Sequence, residues 1–120
     1  MTVGVTLDML AATPPYEQVR AQLAGHIRAG ALSPGDKLPV VRALAADLGV
    51  ATNTIARAYR ELEASGLVTT RRRVGTIVQA ATNPASAELR AQAGEFVRSA
   101  RNARLDDDAV IDLVRGALMG

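Results

Sequence analysis

Apolar side chains recur at intervals of three and four residues in three stretches of the first half of the chain. The first stretch covers residues 16–27, the second residues 44–48 and the third residues 55–62. Such intervals place the apolar side chains on one face of a helix. The pattern therefore predicts three amphipathic helices that each bury one face.

Proline, glycine and polar residues predict where these helices begin and end. Thr13 can cap the first helix, whose prolines are tolerated in the first turn because their missing N–H would have no partner there. Gly30 is predicted to end the first helix, and Pro39 to open the second. Gly49 can end the second helix in the left-handed conformation without a steric cost. Two helices around such a turn are typical of a helix-turn-helix.

Two β-branched runs follow the third helix, which is predicted to end at Ser65-Gly66. They cover residues 67–70 and 75–78, and residues 71–73, all arginine, lie between them. Two short strands joined by a basic tip predict a hairpin. A hairpin that directly follows a helix-turn-helix is the wing of a winged helix.

The residues before the first helix have a less decisive pattern. Val3, Val5 and Leu7 alternate with polar residues or glycine, which allows a short strand or an extended arm. An arm that docks loosely and an arm that contacts a partner both fit. The segment Met1–Ala12 lacks Lys and Arg and contains Asp8, so it is a poor signal peptide and too short for a membrane span. We therefore expect a soluble cytoplasmic protein without membrane contact.

The last third of the chain predicts a linker and two further helices. The linker covers residues 80–84, the fourth helix starts at Asn83-Pro84, and the fifth follows Asp106–Asp108, whose carboxylates suit a helix N-terminus. Large apolar side chains are few, so this helix pair should pack on the winged helix or on a second copy of itself. The candidate dimerisation residues are Leu89, Phe96, Val110, Leu113, Val114 and Leu118.

These elements predict a mainly α protein with a small β-hairpin. The first domain, residues 1–80, is an N-terminal arm and a winged helix-turn-helix that binds DNA. The second, residues 81–120, is a short two-helix C-terminal region for dimerisation, and it is also the candidate region for a small-molecule effector. A chain of 120 residues has room for a core but not for a large ligand domain in addition.

Composition and charge narrow the function classes. The chain contains no cysteine, which excludes disulfide and thiolate chemistry. It contains two tyrosines, one phenylalanine and no tryptophan, which argues against binding of single strands by base stacking. Residues 51–79 carry five arginines against Glu61 and Glu63. This local basic excess is typical of a nucleic-acid-binding face.

The start of the third helix carries the strongest candidate chemistry. Thr52, Asn53 and Thr54 can contact base edges and phosphates, and free N–H groups at a helix N-terminus attract phosphate. Thr52 can equally be the helix cap, so that alternative stays open. Arg42 lies near the N-terminus of the second helix, where a cation opposes the helix dipole. A phosphate partner explains this position better than solvation does.

The remaining arginines divide by position. Arg57 lies one turn closer to the helix N-terminus than Arg60, which favours Arg57 for a DNA contact, whereas Arg60 is expected to pair with an acid or to lie in solvent. The arginines of residues 71–73 repel one another at the hairpin tip, which favours a phosphate or minor-groove partner. Glu61 and Glu63 are interpreted as charges for solubility and pairing. The candidate DNA-binding residues are therefore Arg42, Thr52, Asn53, Thr54, Arg57, Arg71, Arg72 and Arg73.

No pattern favours catalysis, a cofactor or a metal site. His26 is the only histidine and has no ligand set near it in the sequence. The chain contains no P-loop, no G-x-G-x-x-G pattern and no nucleophile paired with a base. We therefore expect a protein that is not an enzyme and holds no cofactor.

Seven segments of the first two thirds of the chain together form a recognisable pattern. They are Pro15–Val19, Gly30–Pro39, Val41–Ala45, Leu48–Val50, Asn53–Glu63, Gly66–Val68 and Gly75–Val78. By these segments the sequence resembles the GntR family of bacterial transcriptional regulators over about residues 14–80. The run Asn53–Tyr59 and the short tail look most like the YtrA branch, in which a two-helix C-terminal region replaces a large effector domain and mediates dimerisation. Val40 and Ala51 depart from the family pattern, and the glycine usual near Arg73 is missing.

This resemblance implies a repressor that binds a pseudo-palindromic double-stranded DNA operator as a homodimer. By matched position it implies DNA contacts from Arg42, from residues 52–54 and from Arg57, with the wing tip near Arg72 and Arg73. Two other classes remain open: a small-molecule sensor with an apolar pocket in the tail helices, and a winged helix used as a protein-interaction module. The arginine-rich tip argues against the second of these.

Overall fold

The computed structural model describes residues 4–80 and 87–120 and divides the chain into two compact units, Met1–Pro84 and Ala85–Gly120. The first unit contains the helices α1 (Pro15–Ala29), α2 (Val41–Leu48) and α3 (Thr52–Ala64) and the strands β1 (Val68–Arg71) and β2 (Gly75–Val78). The second unit contains α4 (Ala87–Asn102) and α5 (Asp107–Met119). The predicted start of the fourth helix at Asn83-Pro84 lies outside the described residues. Helices predominate, and the antiparallel hairpin confirms the predicted fold class.

The core of the first unit forms where α1, α3 and the hairpin bury their apolar faces. Val19 and Leu23 on α1 and Ile55 and Leu62 on α3 are fully buried. These are faces that the sequence intervals predicted. Full burial of each such side chain contributes about 1.5–3 kcal/mol of transfer free energy, so this small set supplies much of the driving force for folding.

The helix-turn-helix has the predicted turn. Gly49 ends α2 in the left-handed conformation, with φ at 70°, and its N–H donates to the Ala46 carbonyl at 3.3 Å. The N–H of Val50 donates to the Ala45 carbonyl at 3.0 Å, and its half-buried side chain packs against the core. The turn therefore fixes the direction in which α3 leaves α2.

Two predicted helix starts are wrong in detail. Pro14, not Thr13, precedes α1, and the helix has no side-chain cap. The backbone at Pro14 is still extended, so Thr13 lies one residue too early to cap the helix. Its carbonyl accepts a hydrogen bond from Gln18 Nε2 at 2.8 Å. Helix α2 starts at Val41, two residues after Pro39.

The wing is the hairpin of β1 and β2, which pairs Val68 with Val78 and Arg71 with Gly75. The segment before α2 adds to its second strand, since the Leu38 N–H donates to the Thr76 carbonyl at 2.9 Å. At the tip, the Val74 N–H donates to the Arg71 carbonyl at 3.1 Å, and Arg73 adopts a φ of 70°. A non-glycine residue in this region is strained, so the missing family glycine has a structural consequence here.

The N-terminal arm is extended and firmly docked on α1. Gln22 accepts from the Thr6 N–H at 3.0 Å and donates to the Thr6 carbonyl at 2.7 Å. Gln18 makes the same pair of bonds with the backbone of Asp8, at 2.8 and 2.9 Å. Two glutamines one helical turn apart thus pair with an extended chain as a neighbouring strand would. Of the two alternatives open for the arm, loose docking and contact with a partner, these four hydrogen bonds argue against loose docking of residues 6–8.

The second unit is a pair of helices with a short connection. Asp106 caps α5, and its Oδ1 accepts from the Ala109 N–H at 2.8 Å, as its position predicted. Among the described residues of this unit, Ala100 alone is buried. Five of the six candidate dimerisation residues are exposed, and Val110 is half-buried. No helix within residues 4–80 or 87–120 is long and apolar enough to span a membrane.

Candidate nucleic-acid interface

The N-terminus of α3 has no side-chain cap. The residue before the helix is Ala51, in an extended conformation, and Thr52 is the first helical residue. The alternative in which Thr52 caps the helix is therefore wrong. Thr52 and Asn53 are exposed and Thr54 is half-buried. The first N–H groups of a helix have no acceptor within its regular hydrogen-bond pattern, but here the Thr54 N–H donates to the Ala51 carbonyl at 3.1 Å. The donors left for a ligand at this end are therefore the N–H groups of Thr52 and Asn53, beside their exposed side chains.

Arg57 lies one turn further along α3 and has two partners within the first unit. Its guanidinium carbon lies 3.6 Å from the centre of the Tyr16 ring. Its Nε also pairs with the Glu61 carboxylate at 3.3 Å, and the two side chains are 55% and 41% exposed. The pairing with Glu61 follows from the spacing of four residues on one helix. The contact with Tyr16 joins two helices far apart in the sequence, so no local spacing indicated it.

An open cleft of about 240 Å³ lies at the point where α1 and α3 both begin. Its lining residues are Pro15, Tyr16, Asn53, Thr54 and Arg57. The cleft thus brings together three of the candidate DNA-binding residues and one aromatic ring. Arg57 supplies positive charge at this cleft, and a guanidinium is well suited to bind a phosphate.

A pair of charges next to this cleft is neutralised internally. Arg20 donates three hydrogen bonds to the Glu17 carboxylate. These hydrogen bonds raise the pKa of Arg20 above its ordinary value, and the nearby Glu61 carboxylate acts in the same direction. The negative charge of Glu17, which follows Tyr16 in the sequence, is therefore balanced within α1.

Arg42 is exposed and is the second residue of α2. Its helix is fixed at the start by Tyr59 on α3, whose hydroxyl donates to the Pro39 carbonyl at 2.7 Å. Tyr59 is buried, and burial raises the pKa of its hydroxyl well above the usual 10.0. The sequence predicted Tyr59 as an inward residue, but its hydrogen bond to the segment before Arg42 could not be predicted from spacing.

The wing arginines Arg71, Arg72 and Arg73 are all exposed. Their strand is tied to the end of α3 by Glu63, whose Oε2 accepts from the Thr70 N–H at 2.8 Å. Glu63 was interpreted as a charge for solubility and pairing; its side chain is exposed, and its carboxylate in addition links the end of α3 to the wing. Arg60 is exposed, and no ion pair of Arg60 occurs among the described residues.

In the part of the chain that the structure describes, no cluster of three or more His, Asp or Glu side chains could hold a metal ion. His26 is half-buried, and its Nε2 has no hydrogen-bond partner among the described residues. The exposed candidate side chains of the first unit thus lie at the start of α3, at Arg42 and on the wing.

Comparison with known proteins identifies the family of the chain. The sequence model described as "Bacterial regulatory proteins, gntR family" matches residues 15–78. The chain is 50% identical over 95 residues to the HTH-type transcriptional regulator Rv1152 of Mycobacterium tuberculosis, covering 79% of this chain and 78% of that protein. It is 40% identical over 74 residues to the HTH-type transcriptional repressor YtrA of Bacillus subtilis, covering 62% of this chain and 57% of the repressor.

Solved structures extend the similarity to the fold. YtrA from Sulfolobus acidocaldarius, a GntR-family transcription factor, matches with a TM-score of 0.58 and 29% identity, over 79% of this chain and 95% of that one. The DNA-binding domain of AraR in complex with operator ORX1 matches with a TM-score of 0.54 and 30% identity, over 60% of this chain and 89% of that one. The chain therefore belongs to the gntR family of bacterial regulatory proteins and is a DNA-binding transcriptional regulator with YtrA-like relatives, not an enzyme.

Proposed function

We propose that this protein is a cytoplasmic repressor that binds a pseudo-palindromic double-stranded DNA operator as a homodimer. The observation that carries the proposal is the uncapped start of α3, where Thr52 and Asn53 are exposed beside Arg57. A helix of this kind in a helix-turn-helix lies in the major groove with its N-terminal residues at the base edges. The amide of Asn53 is suited to paired hydrogen bonds with adenine.

Ala51 leaves the start of α3 without a side-chain cap. A serine or asparagine at this position could cap α3 and occupy its N–H donors. Alanine has no side-chain group to do so. Its carbonyl accepts from the Thr54 N–H at 3.1 Å, and the N–H groups of Thr52 and Asn53 are left for an external acceptor. A phosphate oxygen is the natural acceptor, because the helix dipole and the N–H groups both favour an anion there.

Arginine contacts to phosphate would supply most of the affinity. Arg42, Arg57 and the three wing arginines give five such candidates in each protomer. Since each neutralised phosphate contributes about −0.9 to the slope of log K against log salt, five contacts predict a slope of about −4 to −5 per protomer. Binding should therefore weaken steeply as the salt concentration rises.

The tail would hold two protomers together. Phe96, Leu113 and Val114 are 37%, 50% and 43% exposed, and burying such side chains against a second copy is favourable in proportion to the apolar area removed from water. Two recognition helices in a symmetric dimer would reach half-sites about 34 Å apart, one turn of DNA. The same side chains are the candidate seat of an apolar effector.

Repression is the expected direction of regulation. The Bacillus subtilis YtrA, with which the chain shares 40% identity over 74 residues, is named a repressor.

Gel shifts on a promoter fragment test the proposed surface. Asn53→Ala and Arg42→Ala should each weaken binding by about tenfold or more, as the loss of a base or phosphate contact does. Arg28→Ala is the matched control, because Arg28 is an exposed arginine in the last turn of α1. If Asn53→Ala and Arg42→Ala bind like wild type with an unchanged salt slope, the proposed surface is wrong.

A further inference from the structure

The contact with the Tyr16 ring restricts the position of the Arg57 guanidinium. The guanidinium carbon lies 3.6 Å from the ring centre, which is within the range of a cation–π interaction. Both residues line the open cleft that also contains Asn53 and Thr54. The ring of Tyr16 therefore holds the charge of Arg57 beside the two polar residues proposed to meet DNA.

The two partners of Arg57 differ in what they do to its charge. Glu61 pairs through a single contact of 3.3 Å, and its side chain is 41% exposed, so the pair is weak and screened by salt. A carboxylate also neutralises the arginine and repels phosphate. The ring neutralises nothing, and its flat face leaves the guanidinium N–H groups at the rim free to bind an anion.

A long exposed arginine normally loses conformational freedom when it binds a phosphate, and this loss weakens binding. Stacking on a ring restricts the side chain before DNA arrives. The ring itself is part of α1, and α1 packs against α3 through the fully buried Val19, Leu23 and Ile55. Its position relative to α3 is thus set by the core of the unit.

We propose that Tyr16 is a positioning residue for DNA recognition, whose ring holds the Arg57 guanidinium in the cleft for an operator phosphate. This inference rests on the proposed function. Glu61 is the competitor that Arg57 leaves when DNA binds, while the stack on Tyr16 persists in the complex.

The test separates the ring of Tyr16 from its hydroxyl. Tyr16→Leu removes the ring and keeps apolar bulk, whereas Tyr16→Phe keeps the ring. The full-length protein and both variants are titrated with a DNA fragment that wild type has selected, at several salt concentrations. Tyr16→Leu should weaken binding by about fivefold and reduce the salt slope by about one phosphate contact. Tyr16→Phe should stay within about twofold of wild type, since the ring that makes the cation–π contact remains.

The same two substitutions in an Arg57→Ala background complete a double-mutant cycle. Tyr16→Leu should cost nothing further there, because the arginine it positions is gone. If Tyr16→Phe weakens binding as much as Tyr16→Leu, the hydroxyl itself contacts DNA and the inference is wrong. The inference is also wrong if Tyr16→Leu weakens binding to the same extent in the Arg57→Ala background. It is wrong too if Tyr16→Leu alone binds DNA as tightly as wild type does. If wild type selects no DNA at all, the proposed function is wrong, and the inference that rests on it fails as well.

A second measurement uses wild-type protein and so does not depend on the folding of a variant. The NMR signal of the Arg57 side-chain N–H should be shifted by the ring current of Tyr16, in the free protein and in the DNA complex. A shift that is absent from both states, or that disappears on DNA binding, would overturn the inference.

Discussion

Removal of the Tyr59 hydroxyl tests how the start of α2 is held. Tyr59→Phe keeps the buried ring and deletes the 2.7 Å hydrogen bond to the Pro39 carbonyl. The carbonyl then loses its partner in a half-buried site, and loss of such a bond costs about 1–2 kcal/mol. For a unit of this size each kcal/mol lowers Tm by about 4–8 °C. Thermal unfolding at neutral pH should therefore show a fall in Tm of at least about 4 °C.

The pH dependence of folding stability provides a second, independent test of the Tyr59 hydroxyl. Burial raises the pKa of Tyr59 in the folded state above its unfolded value of 10.0. The folded protein therefore keeps the proton where the unfolded chain releases it, and unfolding is favoured as pH rises. The contribution of Tyr59 to stability is fully present below pH 10.0 and decreases above it. In Tyr59→Phe this alkaline decrease should be smaller than in wild type.

Tyr16→Phe is the matched control. The ring of Tyr16 is half-buried, and its hydroxyl makes no hydrogen bond among the described residues. Its Tm should equal that of wild type. If Tyr59→Phe also melts like wild type and loses stability above pH 10.0 to the same extent, the reasoning on the Tyr59–Pro39 bond is wrong.

Three further predictions concern the wing and the tail. Arg73→Gly should stabilise the protein by about 1 kcal/mol in urea unfolding because it relieves the left-handed strain, and it should weaken DNA binding; lower stability would contradict this. Glu63→Ala should weaken DNA binding several-fold because the wing loses its link at Thr70, and hydrogen exchange at the Thr70 amide should increase; unchanged exchange would contradict the link. Leu113→Asp should shift the protein from dimer to monomer in analytical ultracentrifugation, and a persistent dimer would place the interface elsewhere.

Periodicity predicted the elements because helices and hairpins are local. The buried faces of α1 and α3, the end of α2 at Gly49 and the strands around the arginine tip all followed from spacing and residue type. The capping role of Asp106 also followed, because a cap bonds to a residue three positions away.

Contacts between segments could not be predicted in this way. Gln18 and Gln22 were simply polar positions on α1, and nothing in their spacing indicated that they hold the arm. The stack of Arg57 on Tyr16 likewise depends on how α1 crosses α3. Residue type also misled where two residues could cap a helix, since neither Thr13 nor Thr52 does so.

The most direct test of operator recognition by α3 is selection of DNA fragments by the full-length protein and by Asn53→Ala. Wild type should enrich a palindrome with half-site centres about one helical turn apart. Asn53→Ala should enrich the same spacing but lose preference at one base pair in each half-site, because the wing and Arg42 still place the protein on the backbone. An unchanged preference at every position in the variant, or no enriched sequence with wild type, would contradict the assignment of α3 as the recognition helix.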